Sequence, residues 1–274
     1  MNSYKSYYLY EYTTTMNISI KNQQKAEAFS TVFQHLKLFT ENVNVTFEKG
    51  RMYLQSMDSS RVSVFELEIM ADWFDKYEHT STTNLCLGMN SVLLFKILNS
   101  RDKTQEIEIS YNNDNDILYL NFTSTEKSVF DKHFEMPLIN IDEDFMQIPP
   151  MESQAELSIN STCFANIINQ LKQFGDSIIV ECSEEKITLS SNTLEAGKMS
   201  VDIEMDDITA FSINEDTILH ISFSLNYLHH ICMYNKLSKD INIYLVDNFP
   251  MKIVYNLSEN AKMTFYLAPK IEDD

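Results

Sequence analysis

A chain of 274 residues, 44% of them hydrophobic and 22% charged, has the composition of an ordinary globular protein and a length that suits two domains of about 130 residues. No run approaches the ~18 apolar residues of a membrane span, and the N-terminus has no apolar core of the kind a signal peptide needs, so a soluble intracellular protein is expected. The formal net charge of −19 argues against a simple nucleic-acid binder, because phosphate contacts need lysine and arginine; where the basic residues fall matters more than their sum.

Residues 1–15 hold five tyrosines and read as a loosely docked N-terminal extension. A first domain over 16–131 follows. Phe29, Val32, Phe33 and Leu36 recur with the spacing of one helical face and predict a helix over 24–39. Arg51-Met52-Tyr53-Leu54 marks a strand, Leu93, Leu94 and Ile97 a second helix, and Ile107 and Ile109 a strand of period two. Residues 132–150 then combine three prolines with an acidic cluster, which predicts an extended connector. Its Leu138, Ile141, Met146 and Ile148 give it apolar side chains to lay on a surface.

The second domain, 151–270, repeats the first. Phe164, Ile167, Ile168, Leu171, Lys172 and Phe174 stand 135 residues beyond Phe29, Val32, Phe33, Leu36, Lys37 and Phe39. Lys186-Ile187-Thr188-Leu189 follows Arg51-Met52-Tyr53-Leu54 at the same offset, and Tyr227, Leu228, Ile231, Ile241 and Ile243 repeat the second helix and strand at 134. A period this long describes a domain, not a solenoid module. The expected fold class is α+β with two similar domains, ending in an acidic tail over 271–274.

No catalytic constellation stands out, and no enzyme, metal or cofactor is expected. Four glycines supply no phosphate-binding loop. His229 and His230 are adjacent and point to different helix faces, and the four cysteines form no C-x-x-C pair. The polar helix faces are more informative. Gln24, Ser30, Thr31, Gln34 and Lys37 lie opposite the first apolar stripe, and Asn166, Asn169, Gln170, Lys172 and Gln173 opposite its copy. Lys96, Arg101, Lys103 and Lys236 join them from the second helices and their ends. No acidic residue interrupts 164–174 or 90–100. In an acidic chain this suggests a surface that faces phosphate, with a plain solvated helix face as the alternative.

Two segments, Phe265-Tyr266-Leu267-Ala268-Pro269-Lys270-Ile271-Glu272-Asp273-Asp274 and Leu54-Gln55-Ser56-Met57-Asp58-Ser59-Ser60-Arg61-Val62-Ser63, resemble the proliferating cell nuclear antigen family of DNA sliding clamps. The likeness runs from Met16 to Asp274. It implies a DNA clamp fold, with antiparallel sheets outside and helices lining a central pore, which topology holds on duplex DNA despite an acidic exterior. Such a ring serves as a polymerase processivity factor and docking platform, and an ATP-driven clamp loader places it on DNA. The implied location is the nucleus, or a cytoplasmic replication site for a viral protein.

The resemblance also assigns residues. Partner proteins of the family carry a Q-x-x-aliphatic-x-x-aromatic-aromatic motif, and the matching socket is Met57, Arg61, Val62, Met146, Ile148, Pro149, Pro250, Tyr266, Ala268, Pro269 and Lys270. DNA contact falls to Lys37, Lys96, Arg101, Lys103, Asn166, Asn169, Lys172 and Lys236. A homotrimer would close through strands near 127–134 and 197–204, with Val129, Phe134, Met199, Val201 and Ile203 at the subunit interface. Asn166 and Asn169 stand where the family usually has arginines, so the grip on DNA should be weaker than in typical relatives. Those losses favour a second reading, a diverged clamp-like scaffold or checkpoint subunit of a heterotrimer that slides little. The socket and the C-terminal segment favour the first.

Overall fold

In the computed structural model, which describes residues 15–113, 115–142 and 145–271, each helix starts at a short polar residue directly after or near a strand. Asn22 Oδ1 accepts from the backbone N–H groups of Gln24 and Lys25, Asn90 Oδ1 from Leu93, and Asn160 Oδ1 from Thr162 and Cys163. These bonds satisfy donors that the first helical turn leaves free. Almost all of the N-terminal extension and of the acidic tail lies outside the described residues.

The first domain runs β1 (Met16–Ile20), α1 (Gln23–Leu36), β2 (Asn42–Phe47), β3 (Arg51–Met57), β4 (Ser63–Met70), β5 (Lys76–His79), β6 (Leu85–Asn90), α2 (Ser91–Asn99), β7 (Glu106–Tyr111), β8 (Ile117–Thr123) and β9 (Lys132–Pro137). The second repeats it as β10 (Ala155–Asn160), α3 (Ser161–Leu171), β11 (Ser177–Cys182), β12 (Ile187–Thr193), β13 (Gly197–Ile203), β14 (Ala210–Ile213), β15 (Leu219–Ser224), α4 (Leu225–Cys232), β16 (Asp240–Leu245), β17 (Met251–Ser258) and β18 (Ala261–Leu267). The order of strands and helices is the same in both.

Two expected boundaries move. The first helix ends at Leu36, and 37–39 forms a tighter turn in which Leu38 N bonds His35 O and Phe39 N bonds Leu36 O, both at 2.9 Å. That turn carries Phe39 into the core, where it is 4% exposed. Residues 132–137, expected within the connector, form β9 instead, because Phe134 and Met136 alternate inward and the backbone pairs with β8.

Among the described residues the strands form three antiparallel sheets, ordered β5-β1-β7-β8-β9, β14-β10-β16-β17-β18-β4-β3-β2-β6 and β13-β12-β11-β15. The nine-stranded sheet crosses the domain boundary through β18 and β4, with Phe265 opposite Phe65 and Leu267 opposite Ser63. Phe65 and Phe265 are fully buried, and Phe39 packs on both at 5.6 and 5.4 Å between ring centroids. Tyr234, just after α4, adds a ring 5.3 Å from Phe265 and donates its hydroxyl to Val32 O on α1 at 3.3 Å. The helices thus form a row, α2 against α1, the end of α4 against α1, and α3 against α4.

The repeat gives each strand of this junction a counterpart at a sheet edge. β9 holds the place in the first domain that β18 holds in the second, and β13 holds the place of β4. Inside the chain β18 and β4 pair, whereas β9 and β13 are the outermost strands of their sheets.

Candidate partner socket and helix face

The segment 57–63 is held by one buried carboxylate. Asp58, 5% exposed, accepts from the N–H groups of Ser60 and Val62 at 2.8 Å and of Ser63 at 2.5 Å. These bonds fix a turn in which Arg61 adopts a left-handed φ of 59° and projects into solvent. Tyr227 on α4 donates to Asp58 at 2.7 Å, tying the turn to the second domain. Two apolar rows border it. Met57, Val64 and Tyr266 lie opposite one another across β3, β4 and β18, and Ala268 N bonds Val62 O at 2.9 Å just beyond the end of β18. All five are half-buried, as are Pro250 and Pro269.

The connector from 138 onward is tied down across this surface. Ile139 N bonds Gly88 O at 2.9 Å, and Asn44 donates to Ile141 O at 3.1 Å. A Cβ on Gly88 would lie 2.1 Å from Ile139 O, so only glycine admits this close approach. Gln55 then holds Met146 at both backbone groups, with Met146 N 2.6 Å from Gln55 Oε1 and Gln55 Nε2 3.0 Å from Met146 O. Phe145 stands edge-on to Tyr53 at 5.2 Å. Glu66 collects hydroxyl donors from Tyr53 at 2.6 Å and Tyr266 at 3.3 Å. Burial and the adjacent Glu66 charge push the Tyr266 phenol up to about 12, so it stays a donor.

A groove of about 770 Å³ opens beside the connector and brings Met57, Arg61 and Met146 together with Lys37, Phe145 and Asn44. Val62, Pro250, Tyr266, Ala268 and Pro269 are not part of that groove and belong to the neighbouring strand ends. Ile148 is half-buried and Pro149 exposed. Lys270 turns away toward the second domain, with its N–H on Ser222 O and its ammonium on Ser177. Gln55, Val64 and Glu66 escaped the sequence-level assignment, although Gln55 lies inside the Leu54–Ser63 segment and Val64 in the alternation of β4.

On the helix row, Lys37 and Lys96 are exposed, and Lys37 Nζ sits 4.0 Å over the Phe95 ring. Lys103 and Lys236 both line a groove of about 660 Å³, together with Gln24, Glu27 and Thr31 of α1. Asn166 and Asn169 are exposed on α3, and Lys172 is half-buried at its end. Arg101 departs from expectation. Its side chain is only 3% exposed, pairs with Glu27 at 3.1 Å and donates to the carbonyls of Asp102, Lys103 and Gln105. Arg101 closes a loop and is not available to a phosphate.

The edge residues divide similarly. Phe134, Met199 and Val201 are half-buried on their outer strands, whereas Ile203 is already 5% exposed and Val129 sits in the turn before β9.

Models for the two domains of proliferating cell nuclear antigen match in the expected order, the N-terminal domain over 19–145 and the C-terminal domain over 147–270. The chain belongs to the proliferating cell nuclear antigen family. Among curated relatives, proliferating cell nuclear antigen of Chaetomium thermophilum is 26% identical over 265 residues, spanning 92% of this chain and 97% of the relative. Among solved structures, proliferating cellular nuclear antigen from Entamoeba histolytica superposes with a TM-score of 0.83 at 22% identity, covering 94% of this chain and all of that one. That likeness concerns the fold.

Family members are non-enzymatic clamps, and this chain is of that kind. Its two domains, antiparallel sheets and the four α-helices among the described residues are the α+β clamp fold of the family. Among the described residues no helix is long and apolar enough to cross a membrane.

Proposed function

We propose that the protein is a homotrimeric sliding clamp that encircles duplex DNA as a polymerase processivity factor and docks partner proteins at the socket. The observation that carries this is the repeated junction. If β9 of one copy meets β13 of the next as β18 meets β4, Phe134 falls opposite Met199, Glu135 opposite Lys198 and Lys132 opposite Val201. The contact is head-to-tail and must close on itself or grow without limit. Three copies, six domains, make the closed ring this family implies. Closure extends the helix row around the inside, with α3 of one copy beside α2 of the next. Lys37, Lys96, Lys103, Lys172 and Lys236 then face the duplex, and Asn166 and Asn169 offer amides to it.

The remaining partners follow from the same reading: a DNA polymerase, a clamp loader, and proteins with the Q-x-x-aliphatic-x-x-aromatic-aromatic motif at Met57, Val64, Met146 and Tyr266. Its place of action is the nucleus or a viral replication site. The uncharged face of α3 favours one rival, a scaffold subunit of a heterotrimer with little sliding. Topology separates the two. Protein loaded onto a nicked circular plasmid should stay bound through gel filtration in about 0.3 M salt, above the range where phosphate contacts alone hold, and should fall off when the plasmid is cut once. Equal loss from circle and linear form would reject the encircling ring and leave the scaffold.

A further inference from the structure

Three of the six histidines, His35, His229 and His230, stand on the helix row at the domain junction. His229 is held by α3, with its Nδ1 2.7 Å from Asn169 Oδ1. An amide oxygen can only accept, so the ring proton lies on Nδ1 and the half-exposed ring keeps Nε2 free. The His230 ring lies 6.0 Å from His229 and edge-on to Phe39 at 6.1 Å. The His35 ring stands edge-on to Tyr234 at 5.4 Å.

Resting on the encircling reading above, we propose that His229, supported by His230, is a proton-linked contact for the phosphate backbone of the duplex inside the ring. Among the described residues, the charges that act on these rings are all cationic. Lys172 at the end of α3 faces His229 and His230, His229 faces His230, and Lys37 and Lys236 face His35. Burial comes first and these cations second in holding all three imidazoles below the usual histidine range. They are therefore neutral near pH 7 in the free protein. No carboxylate among the described residues compensates the cluster, and a phosphate oxygen near Nε2 would supply the anion. Protonation is then favoured in the complex, so binding takes up protons. The added affinity is fully present below the free pKa and disappears as pH rises through the raised pKa of the complex.

Anisotropy of a labelled 30-base-pair duplex, measured at fixed low ionic strength, tests this with the intact protein. A rise of one unit in a single imidazole pKa corresponds to at most tenfold in affinity. Wild type should bind up to about tenfold more tightly at pH 5.5 than at pH 7.5, beyond the change seen for a His229→Gln/His230→Gln variant. Its salt dependence should steepen by about one in log–log slope per protonated ring at the lower pH. His229→Gln alone, which spares the Phe39 contact, should remove at least half of the difference. Calorimetry in two buffers of unlike ionisation enthalpy should show net proton uptake near pH 6.5 in wild type and less in the variants. Duplex binding with the same pH profile and proton uptake in all three proteins would overturn the histidine contact while leaving the clamp. Absence of duplex binding at every pH, by protein shown to be trimeric, would overturn both.

Discussion

Met199→Asp is the sharpest probe of the ring. Inside the chain the equivalent pair, Phe65 and Phe265, is fully buried, while Phe134 and Met199 are half-buried at open edges. Closure should finish their burial. Full burial of a methionine or phenylalanine side chain contributes about 1.5–3 kcal/mol, so covering the remaining third or less of each gives up to about 2 kcal/mol per junction. Aspartate forfeits the methionine share and sets a carboxylate against the Phe134 ring, where an unpaired, desolvated charge costs several kcal/mol. A combined loss of about 4 kcal/mol raises the junction dissociation constant roughly a thousandfold.

Native mass spectrometry and sedimentation at micromolar concentration should find three subunits in wild type and one in Met199→Asp, with unchanged far-UV circular dichroism. Val201→Asp is a weaker probe, because the register sets residue 201 directly opposite Lys132. The same register sets Asp131 opposite Asp202, where the internal junction has Lys262 and Glu68 bridged at 2.9 Å. Like charges directly opposite across a ladder destabilise it, so Asp131→Lys should lower the dissociation constant a few-fold. A folded Met199→Asp protein that remains trimeric, or an Asp131→Lys variant that does not tighten, would refute the repeated-junction register. A wild-type protein monomeric at micromolar concentration would remove the homotrimer itself.

Lys37→Ala, Lys96→Ala and Lys172→Ala combined should weaken duplex binding and flatten its salt dependence with little loss of stability. Arg101→Ala should instead cost about 2–3 kcal/mol in thermal or urea unfolding, since three carbonyls and Glu27 lose their donor, and should leave the salt dependence unchanged. At the socket, a peptide with the Q-x-x-aliphatic-x-x-aromatic-aromatic pattern should bind at about micromolar affinity, or −8 kcal/mol. By calorimetry Tyr266→Ala should weaken it at least tenfold. Gly88→Ala should loosen the connector, speed its proteolysis and weaken the same peptide, and unchanged proteolysis would mean that the Gly88–Ile139 approach does not hold the loop.

Much of this architecture was legible in the residue order because it is local and repeated. The helical stripe of Phe29, Val32, Phe33 and Leu36 needs no partner to be recognised, and its recurrence at Phe164, Ile167, Ile168 and Leu171 shows two copies of one domain. Element ends were less legible, since Phe39 leaves the helix for an aromatic cluster built from Phe65, Tyr234 and Phe265, three residues remote in sequence. The same holds for 132–137, whose alternation becomes a strand only because β8 supplies its hydrogen-bond partners.

At the functional surfaces, residue type alone could not tell an available cation from an engaged one. Lys37 and Arg101 look alike in the sequence, but the fold leaves the first exposed and closes the second around Glu27 and three backbone carbonyls. Nor could periodicity distinguish Ile203, already covered by its own domain, from Met199 and Val201 beside it. The sequence by itself determined two α+β domains and their helix faces, because apolar spacing and an internal repeat are written in the residue order, while the segments expected to form a socket came from the family resemblance. The tertiary structure alone decided that β18 pairs with β4 while β9 and β13 stay at the edges, and which polar side chains remain free for a partner, because pairing and burial depend on contacts between residues far apart along the chain.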